Sequence, residues 1–310
     1  MTEMCPIQRK DSTIRARRMT VTVAIATAGR PLIVRDTLMH LARMEERPAR
    51  VVLSLSDPSD FANVTLGDLP FPVEIIFAQG GLCAQRNAVL DIARKGEAIL
   101  FLDDDFLIAE GYLSALVRLF VRHPDVVMAT GKVLADGILG PGLDHAAGLK
   151  LLDGVRCPAT PGELTDVRNG YGCNMALRVD PVLRAGLRFD TTLPRYGWLE
   201  DVDFSGGLSA HGRIVRSTAL LGVHLGTKTG RSRGVPLGYS QIANPLYLAR
   251  KGTMDRRRAY YMMSRNIVAN VVKSARPETW VDRRGRLRGN LVALADLAGG
   301  RLSPGRILDL

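Results

Sequence analysis

Apolar and polar residues alternate in blocks along the first hundred positions. Four runs of apolar, mainly β-branched residues have the length of buried strands, at 21–26, 51–55, 73–77 and 98–102. Two segments between them place apolar residues at helical spacing, from Leu32 to Met44 and after Gly80-Gly81. Because strands that alternate with helices usually form a parallel sheet, this half of the chain is predicted to be a βαβ fold.

The pattern changes after Val126, where short strands alternate with Gly and Pro turns, and predicts a mixed or antiparallel extension of the sheet. Strands are predicted at 126–128, 133–134, 175–178 and 213–221. Helices are predicted at 181–185, 200–211, 256–272 and 288–297. The segment 226–245 is rich in Gly, Ser, Thr and basic residues, so we expect a mobile loop there.

Three consecutive acids, Asp103 to Asp105, directly follow the fourth predicted strand. Burying unpaired charge is costly, and ligands of open α/β sheets bind at the carboxyl ends of the strands. The acids therefore indicate a crevice that holds a hard divalent cation carrying a diphosphate. The alternative is a solvated acidic turn that leads into a helix from Gly111 to Arg122.

Composition and net charge limit the classes of partner that the chain is expected to bind. The chain has 310 residues, of which 46% are hydrophobic and 24% charged, as in globular proteins. Its net charge of +11 favours anionic partners such as sugar nucleotides, nucleic acid or an anionic membrane surface. Aromatic residues make up 5% and do not interleave with basic ones, so no nucleic acid partner is expected. Residues 1–18 are predicted to be a disordered basic leader.

The cellular compartment follows from cysteine usage and from hydropathy. Four cysteines without metal-ligand spacing are typical of reduced thiols, so a cytoplasmic location is expected. The sequence contains neither an apolar run of spanning length nor the apolar core of a signal peptide. The C-terminal basic helices leave two interpretations open, namely peripheral binding to the inner face of the membrane, or packing on the domain or in a homodimer.

Several motifs occur in a fixed order between Val21 and Leu225. They are Thr27-Ala28-Gly29-Arg30-Pro31, Asp57, the segment Gly81 to Asn87, the acid triplet, Gly172-Cys173-Asn174-Met175, Glu200-Asp201 and His224. Together they resemble the family-2 glycosyltransferases with a GT-A fold. The resemblance implies an open mixed α/β sheet with a Rossmann-like nucleotide-sugar-binding half at 19–125, an acceptor and catalytic half at 126–250, and a helical extension at 251–310.

The resemblance also implies transfer of a sugar from a nucleoside-diphosphate donor with inversion at the anomeric carbon. Residues expected near the donor are Thr27, Arg30, Asp57, Arg86, Asn87, Asp103 and Asp104. Asp105 and His224 are expected to hold Mn²⁺ or Mg²⁺, and the histidine favours manganese. Gly172, Asn174 and Trp198 are expected in the sugar and acceptor pocket.

Each of these residues also has a simpler interpretation. Arg86 could form a helix-surface salt bridge with Asp91. Asp57 could form a turn before Pro58. His224 could be a histidine at a strand end whose hydrogen bonds are satisfied within the fold. Asn beside Gly, as at position 174, is common in loops.

Asp201 is the predicted general base, with Glu200 beside it, because an acceptor hydroxyl must lose its proton as it attacks. Capping of a helix by first-turn acids is the alternative for both. Lys228, Arg231 and Arg233 are predicted to form a lid over the donor diphosphate, with a solvated basic loop as the alternative.

Two departures from the family pattern limit the prediction. The second strand ends in Ser-Asp-Pro-Ser-Asp rather than Asp-Asp-Gly-Ser, so a UDP-sugar is favoured without being fixed. The Gln-x-x-Arg-Trp motif of processive synthases is absent, so single addition is expected, to a saccharide or polyprenyl-linked acceptor of a surface polysaccharide or glycolipid. The alternatives are a nucleotidyltransferase, for which the loop at Gly29 is too short, and a non-enzymatic basic protein that binds polyanions or membranes.

Overall fold

The computed structural model describes residues 19–61, 65–160, 162–228 and 234–310. The predicted leader 1–18 and the predicted lid residues Arg231 and Arg233 lie outside these ranges. Within them, nine strands form one mixed sheet that is flanked by helices, as the hydrophobic pattern predicted.

The strands of this sheet follow the order β3-β2-β1-β4-β8-β6-β9-β5, and β7 pairs with β9. Their bounds are β1 Thr20–Thr27, β2 Arg50–Leu55, β3 Val73–Phe77, β4 Glu97–Asp103, β5 Phe106–Ile108, β6 Val126–Asp136, β7 Leu164–Asp166, β8 Asn174–Arg178 and β9 Arg213–His224. The first four strands are parallel neighbours, and β8 then joins β4 in the antiparallel direction. The predicted mixed sheet is therefore confirmed, although 126–136 is one strand and not two.

The helices of the described residues pack on both faces of the sheet and against one another at the C-terminal end. Their bounds are α1 Pro31–Arg43, α2 Leu82–Asp91, α3 Tyr112–Arg122, α4 His145–Leu152, α5 Val179–Ala185, α6 Glu200–Leu208, α7 Gly234–Lys251, α8 Arg256–Lys273 and α9 Arg283–Ala298. None of them combines the length and the apolar character that crossing a bilayer requires.

Strand register brings distant residues to one edge of the sheet. Ala26 of β1 lies beside Asp103 of β4, so the loop after β1 emerges next to the acid triplet. In the other half, β9 lies between β6 and β5, and its last residue His224 is paired with both Asp136 and Phe106. His224 and Asp105 therefore meet although 119 positions separate them in the chain.

The prediction of a mobile loop at 226–245 is wrong for its second part, because α7 begins at Gly234. The sequence pattern did not predict this helix, because it contains glycines and Pro245, which are unfavourable inside helices. Its apolar residues Tyr239, Ile242 and Leu246 are buried in a separate small core shared with α8 and α9. Such burial stabilises a helix whose own propensity is poor.

A close helix crossing and a buried amide network hold this C-terminal helical unit together. A methyl group at Gly238 of α7 would fall on the backbone of Arg286 in α9. Asn270 of α8 donates to Gln241 at 2.8 Å and to Asn290 at 2.9 Å, and Asn290 donates to the carbonyl of Gly238 at 2.7 Å. These buried polar side chains thus satisfy one another across three helices.

Candidate active site

Two carboxylates and one imidazole converge where β4 and β9 end. Ligand atoms of Asp103, Asp105 and His224 all lie within 4.8 Å of one another. His224 Nε2 is 3.4 Å from Asp105 Oδ1 and 3.9 Å from Asp103 Oδ2. Asp105 and His224 are buried, whereas Asp103 is partly exposed. Oxygen ligands with one imidazole are a donor set that suits Mn²⁺ or Mg²⁺, so the residues present fit the predicted cation.

The imidazole of His224 is oriented from behind by a second acid. Its Nδ1 lies 2.8 Å from Asp136 Oδ1, and the other oxygen of Asp136 accepts a hydrogen bond of 2.8 Å from the Tyr171 hydroxyl. A proton on Nδ1 leaves Nε2 directed at Asp103 and Asp105. Carboxylate–histidine pairs of this kind fix the tautomer of metal-binding histidines. Sequence reasoning missed both residues, because the register of β6 and β9 brings Asp136 to His224, and Tyr171 joins them from the loop before β8.

Without a cation, the cluster is held by a proton. Burial alone would lower the pKa of His224, but the carboxylates of Asp105 and Asp136 raise it to about 10. Burial alone would raise the pKa of Asp105, yet the imidazole and Arg30 bring it down to about 2. Binding of a cation here would require loss of the proton from His224, so the affinity for the cation would depend on pH.

Asp104, the middle acid, faces away from this cluster. It is fully buried; its Oδ2 accepts from the Thr27 hydroxyl at 2.5 Å and its Oδ1 lies 2.9 Å from Arg30 Nη2. Its backbone carbonyl accepts from the hydroxyl of Thr37 at 2.5 Å. Burial raises the pKa of Asp104 to about 7, although Arg30 opposes this. Asp104 thus connects β1 and α1 to the end of β4. Arg30 Nη1 lies 3.7 Å from Asp105 Oδ2.

The acids after β2 have different surroundings. Asp57 is exposed, and its Oδ1 accepts from the backbone and hydroxyl of Ser59, which agrees with its turn-forming alternative. Asp60, which sequence reasoning missed, is buried and accepts from the backbone of Gly29 at 2.5 Å and of Ser56 at 3.1 Å. Asp60 thereby fixes the loop after β1 against the end of β2.

Arg86 is buried in the centre of the site. Its Nη1 donates to Glu200 Oε1 at 2.6 Å, its Nη2 donates to the carbonyl of Gly172 at 2.9 Å, and Nη2 lies 3.5 Å from Asp103 Oδ1. The alternative of a surface salt bridge with Asp91 is wrong, because Asp91 pairs with Arg188. One guanidinium thus connects α2, the end of β4, the loop before β8 and the start of α6.

The side chains of Asn87 and Asn174, which were predicted to contact ligands, form hydrogen bonds within the protein. Both groups of the Asn87 amide bond to the backbone of Phe189 at 2.8 Å. Asn174 is fully buried, and its Oδ1 accepts from the Thr130 hydroxyl at 2.6 Å and from the backbone of Gly131 at 2.7 Å. Because these side chains already have partners within the fold, we do not expect either of them to contact a ligand.

Asp201 lies in the first turn of α6, beside Gly172. Its Oδ2 accepts from the backbone of Gly172 at 3.2 Å and its Oδ1 from that of Val202 at 2.8 Å. Burial raises the pKa of Asp201, and the charge of Arg86 opposes the shift. Burial also raises the pKa of Glu200 well above its usual range. Glu200 is the partner of Arg86, whereas Asp201 remains partly exposed.

A cavity of about 1370 Å³ opens between the sheet edge and the C-terminal helices. Trp198 and Lys228, predicted for the acceptor pocket and the lid, both line it. Lys228 donates to the carbonyls of Gly137 and Ile138 at 3.1 Å, and the carbonyl of Trp198 accepts from Asn244 at 2.7 Å.

Solved structures with this fold contain UDP or a nucleotide sugar. GalNAc-T7 with UDP, GalNAc and Mn²⁺ aligns with a TM-score of 0.55 and 14% identity over 92% of this chain and 59% of that one. S. aureus TarS 1-349 with UDP-GlcNAc aligns at 0.55 and 15% over 93% and 83%. The mannosyltransferase PcManGT from Pyrobaculum calidifontis with GDP-Man and Mn²⁺ aligns at 0.51 and 14% over 94% and 86%. The chain therefore shares the GT-A fold of these structures.

Sequence comparison gives the family. Residues 22–146 match the family described as Glycosyl transferase family 2. It is 27% identical over 216 residues to "Succinoglycan biosynthesis protein ExoM" of Rhizobium meliloti (strain 1021), covering 66% of each chain. The chain thus spans about two thirds of that relative's length. The predicted family and fold class are confirmed.

The position of Arg86 predicts a large stability effect. Replacing it by Met in Arg86→Met leaves Glu200 buried without its counter-charge, and removing one partner of a buried ion pair costs about 3–5 kcal/mol. Urea unfolding measures the loss. The matched control is Arg188→Met, which removes an exposed pair and should cost about 1 kcal/mol or less. Equal midpoints for the two variants would contradict the bridging role of Arg86.

Proposed function

We propose that this glycosyltransferase is an inverting, metal-dependent enzyme that moves a sugar from a nucleoside-diphosphate donor to a saccharide or lipid-linked saccharide acceptor. The observation that carries the proposal is the convergence of a candidate cation site and the partly exposed carboxylate of Asp201 around one arginine. Arg86 contacts Asp103 of the cluster, the carbonyl of Gly172, and Glu200, while Asp201 accepts from the backbone of Gly172.

The donor side of the site is assigned to the residues around the acid triplet. Asp105 and His224 would hold Mn²⁺ or Mg²⁺, with Asp103 nearby. When bound, the cation neutralises the negative charge that develops on the departing nucleoside diphosphate. Arg30 is partly exposed beside Asp105 and provides a second positive charge at this place.

The nucleoside is assigned to the loops beyond the cluster. Thr27 holds the loop after β1 through Asp104, and exposed Asp57 remains the candidate for contact with the base. A UDP-sugar is the favoured donor, although similar folds accompany both UDP-GlcNAc and GDP-Man.

The acceptor side centres on Asp201. Its elevated pKa increases its basicity, so it can take the proton from an acceptor hydroxyl that attacks opposite the leaving diphosphate. Gly172 holds this carboxylate through its backbone NH, and Trp198 lines the adjoining cavity. Arg86 and Glu200 act as positioning residues, because their charges satisfy each other in the interior.

The biological setting follows from the relative and from the charge of the chain. ExoM carries succinoglycan biosynthesis in its name, which supports assembly of a surface polysaccharide or glycolipid. A peripheral position on an anionic membrane is supported by α8, where Tyr260, Tyr261, Val268 and Val272 are between 59% and 67% exposed. Basic residues flank this apolar face, as in helices that lie on anionic lipid.

Metal dependence gives the first test of the proposal. UDP should bind more tightly with Mn²⁺ than with EDTA, and Asp105→Asn should remove this difference because it deletes a charged ligand. Isothermal titration calorimetry measures both affinities. Asp153→Asn, at an exposed acid outside the site, is the control and should behave as wild type. Manganese-dependent binding that survives in Asp105→Asn would remove Asp105 from the metal site.

Replacement of Asp201 should lower turnover without changing donor binding. Asp201→Asn keeps the size of the side chain but cannot accept the proton, so turnover should fall by about 10²- to 10⁴-fold while affinity for UDP and Mn²⁺ is unchanged. Glu200→Gln is the contrast, because it should also lower stability by weakening the pair with Arg86. Full turnover in Asp201→Asn would exclude it as the base.

The exposed face of α8 predicts binding to anionic vesicles. The triple variant Tyr261→Ser, Val268→Ser, Val272→Ser removes apolar surface. It should no longer co-sediment with phosphatidylglycerol-containing vesicles. Val121→Ser, at an equally exposed valine of α3, is the control and should stay bound. If the triple variant sediments like the control, α8 is not the membrane contact.

A further inference from the structure

The walls of the large cavity come from two parts of the chain. One end is lined by the edge of the sheet and the segment before α6, at Ile138, Leu139, Tyr196, Trp198 and Lys228. The other end is lined by the C-terminal helices and the segment between α8 and α9, including Arg265, Lys273, Trp280, Arg283, Arg286 and Arg288. A volume of about 1370 Å³ exceeds that of typical small-ligand pockets, about 300–1,000 Å³. The cavity therefore has room for more than one sugar unit.

More basic than acidic side chains line the cavity. Five basic side chains at the far end and Lys228 at the near end stand against three acidic ones, Glu278, Asp282 and Asp309. Glu278 is engaged by Lys273 at 2.6 Å and by Arg283 at 2.9 Å, and the Asp282 side chain accepts from the backbone of Gly285 at the start of α9. The net charge of the lining is positive after this internal pairing.

Two arginines at this end lack a carboxylate partner. Arg265 of α8 and Arg288 of α9 form no ion pair with any residue in the part of the chain that the structure describes. Asn266, next to Arg265, also lines the cavity, and its side-chain nitrogen is buried without a hydrogen-bond partner among the described residues. Guanidinium and amide donors without acceptors are groups that recognise phosphate or carboxylate oxygens.

We propose that this basic end of the cavity binds an anionic group of the acceptor, a phosphate ester or a sugar carboxylate. The inference deepens the proposed function and rests on it, because it assigns the acceptor to the cavity that Trp198 lines. The aromatic surfaces of Tyr196 and Trp198 suit the face of a sugar ring at the near end. The charged group then sits at Arg265 and Arg288 and sets the orientation of the acceptor.

Two sources could supply this chemistry, and simple probes distinguish them. Hexyl phosphate represents the phosphate of a lipid carrier, methyl glucuronide an acidic sugar, and methyl glucoside is the neutral control. The titrations are done by calorimetry on the whole chain in EDTA. Without a cation the acid triplet repels anions, so binding under these conditions reports on another site.

The double variant Arg265→Gln, Arg288→Gln tests the location. It should weaken binding of the anionic probe by about tenfold or more, because a charge-assisted hydrogen bond contributes that much to affinity. Arg257→Gln, at an exposed arginine of α8 outside the cavity, is the matched control and should bind as wild type. Methyl glucoside should bind much more weakly than the anionic probe in the wild type and in the control, and this difference should shrink in the double variant.

Binding of hexyl phosphate alone assigns the site to a lipid phosphate, and binding of methyl glucuronide alone assigns it to an acidic sugar. The inference is overturned if neither anion binds, or if the double variant binds them as wild type does. Manganese-dependent UDP binding is measured on the same samples. Its retention shows that the variants are folded. Its absence in the wild type would refute the proposed function separately from the anion site.

Discussion

The buried guanidinium of Arg86 is the interaction on which the site depends. Its partners Asp103, Gly172 and Glu200 come from three separate parts of the chain. A charge in the interior is tolerated only when it is paired and hydrogen-bonded, so the three parts must stay in place for Arg86 to remain satisfied. The proposed cation site and the proposed base are therefore held by the same group, with Asp201 fixed through Gly172.

Strand register, and not Arg86, brings together the residues of the proposed cation site. β4, β6 and β9 end at the same edge, and this places Asp136 behind His224 and Asp105 in front of it. Fixing the imidazole in one orientation limits the entropy lost when a cation binds, and it explains why the histidine is buried. The C-terminal helices add a wall with the opposite charge, so the molecule combines an acidic edge with a basic cavity.

Much of this arrangement could be predicted from linear patterns. Strands that end in Asp103 to Asp105 and in His224 identify the edge, because apolar runs and the charges after them are adjacent in sequence. Asp60, Asp136 and Tyr171 could not be found, since their roles depend on which strands become neighbours. The same limit applies to Asn87 and Asn174, whose partners lie far away in the chain. Helix α7 was missed because its stability comes from burial against α8 and α9, not from its composition.

The central claim is that Asp105 and His224 bind the cation that accompanies the donor. The most direct test is a crystal of the protein grown with UDP and MnCl₂, with anomalous diffraction used to locate manganese. The account predicts one strong peak within about 2.5 Å of a carboxylate oxygen of Asp105 and of Nε2 of His224. A manganese peak beside the nucleotide but away from both residues, or nucleotide bound at this edge without manganese, would contradict it.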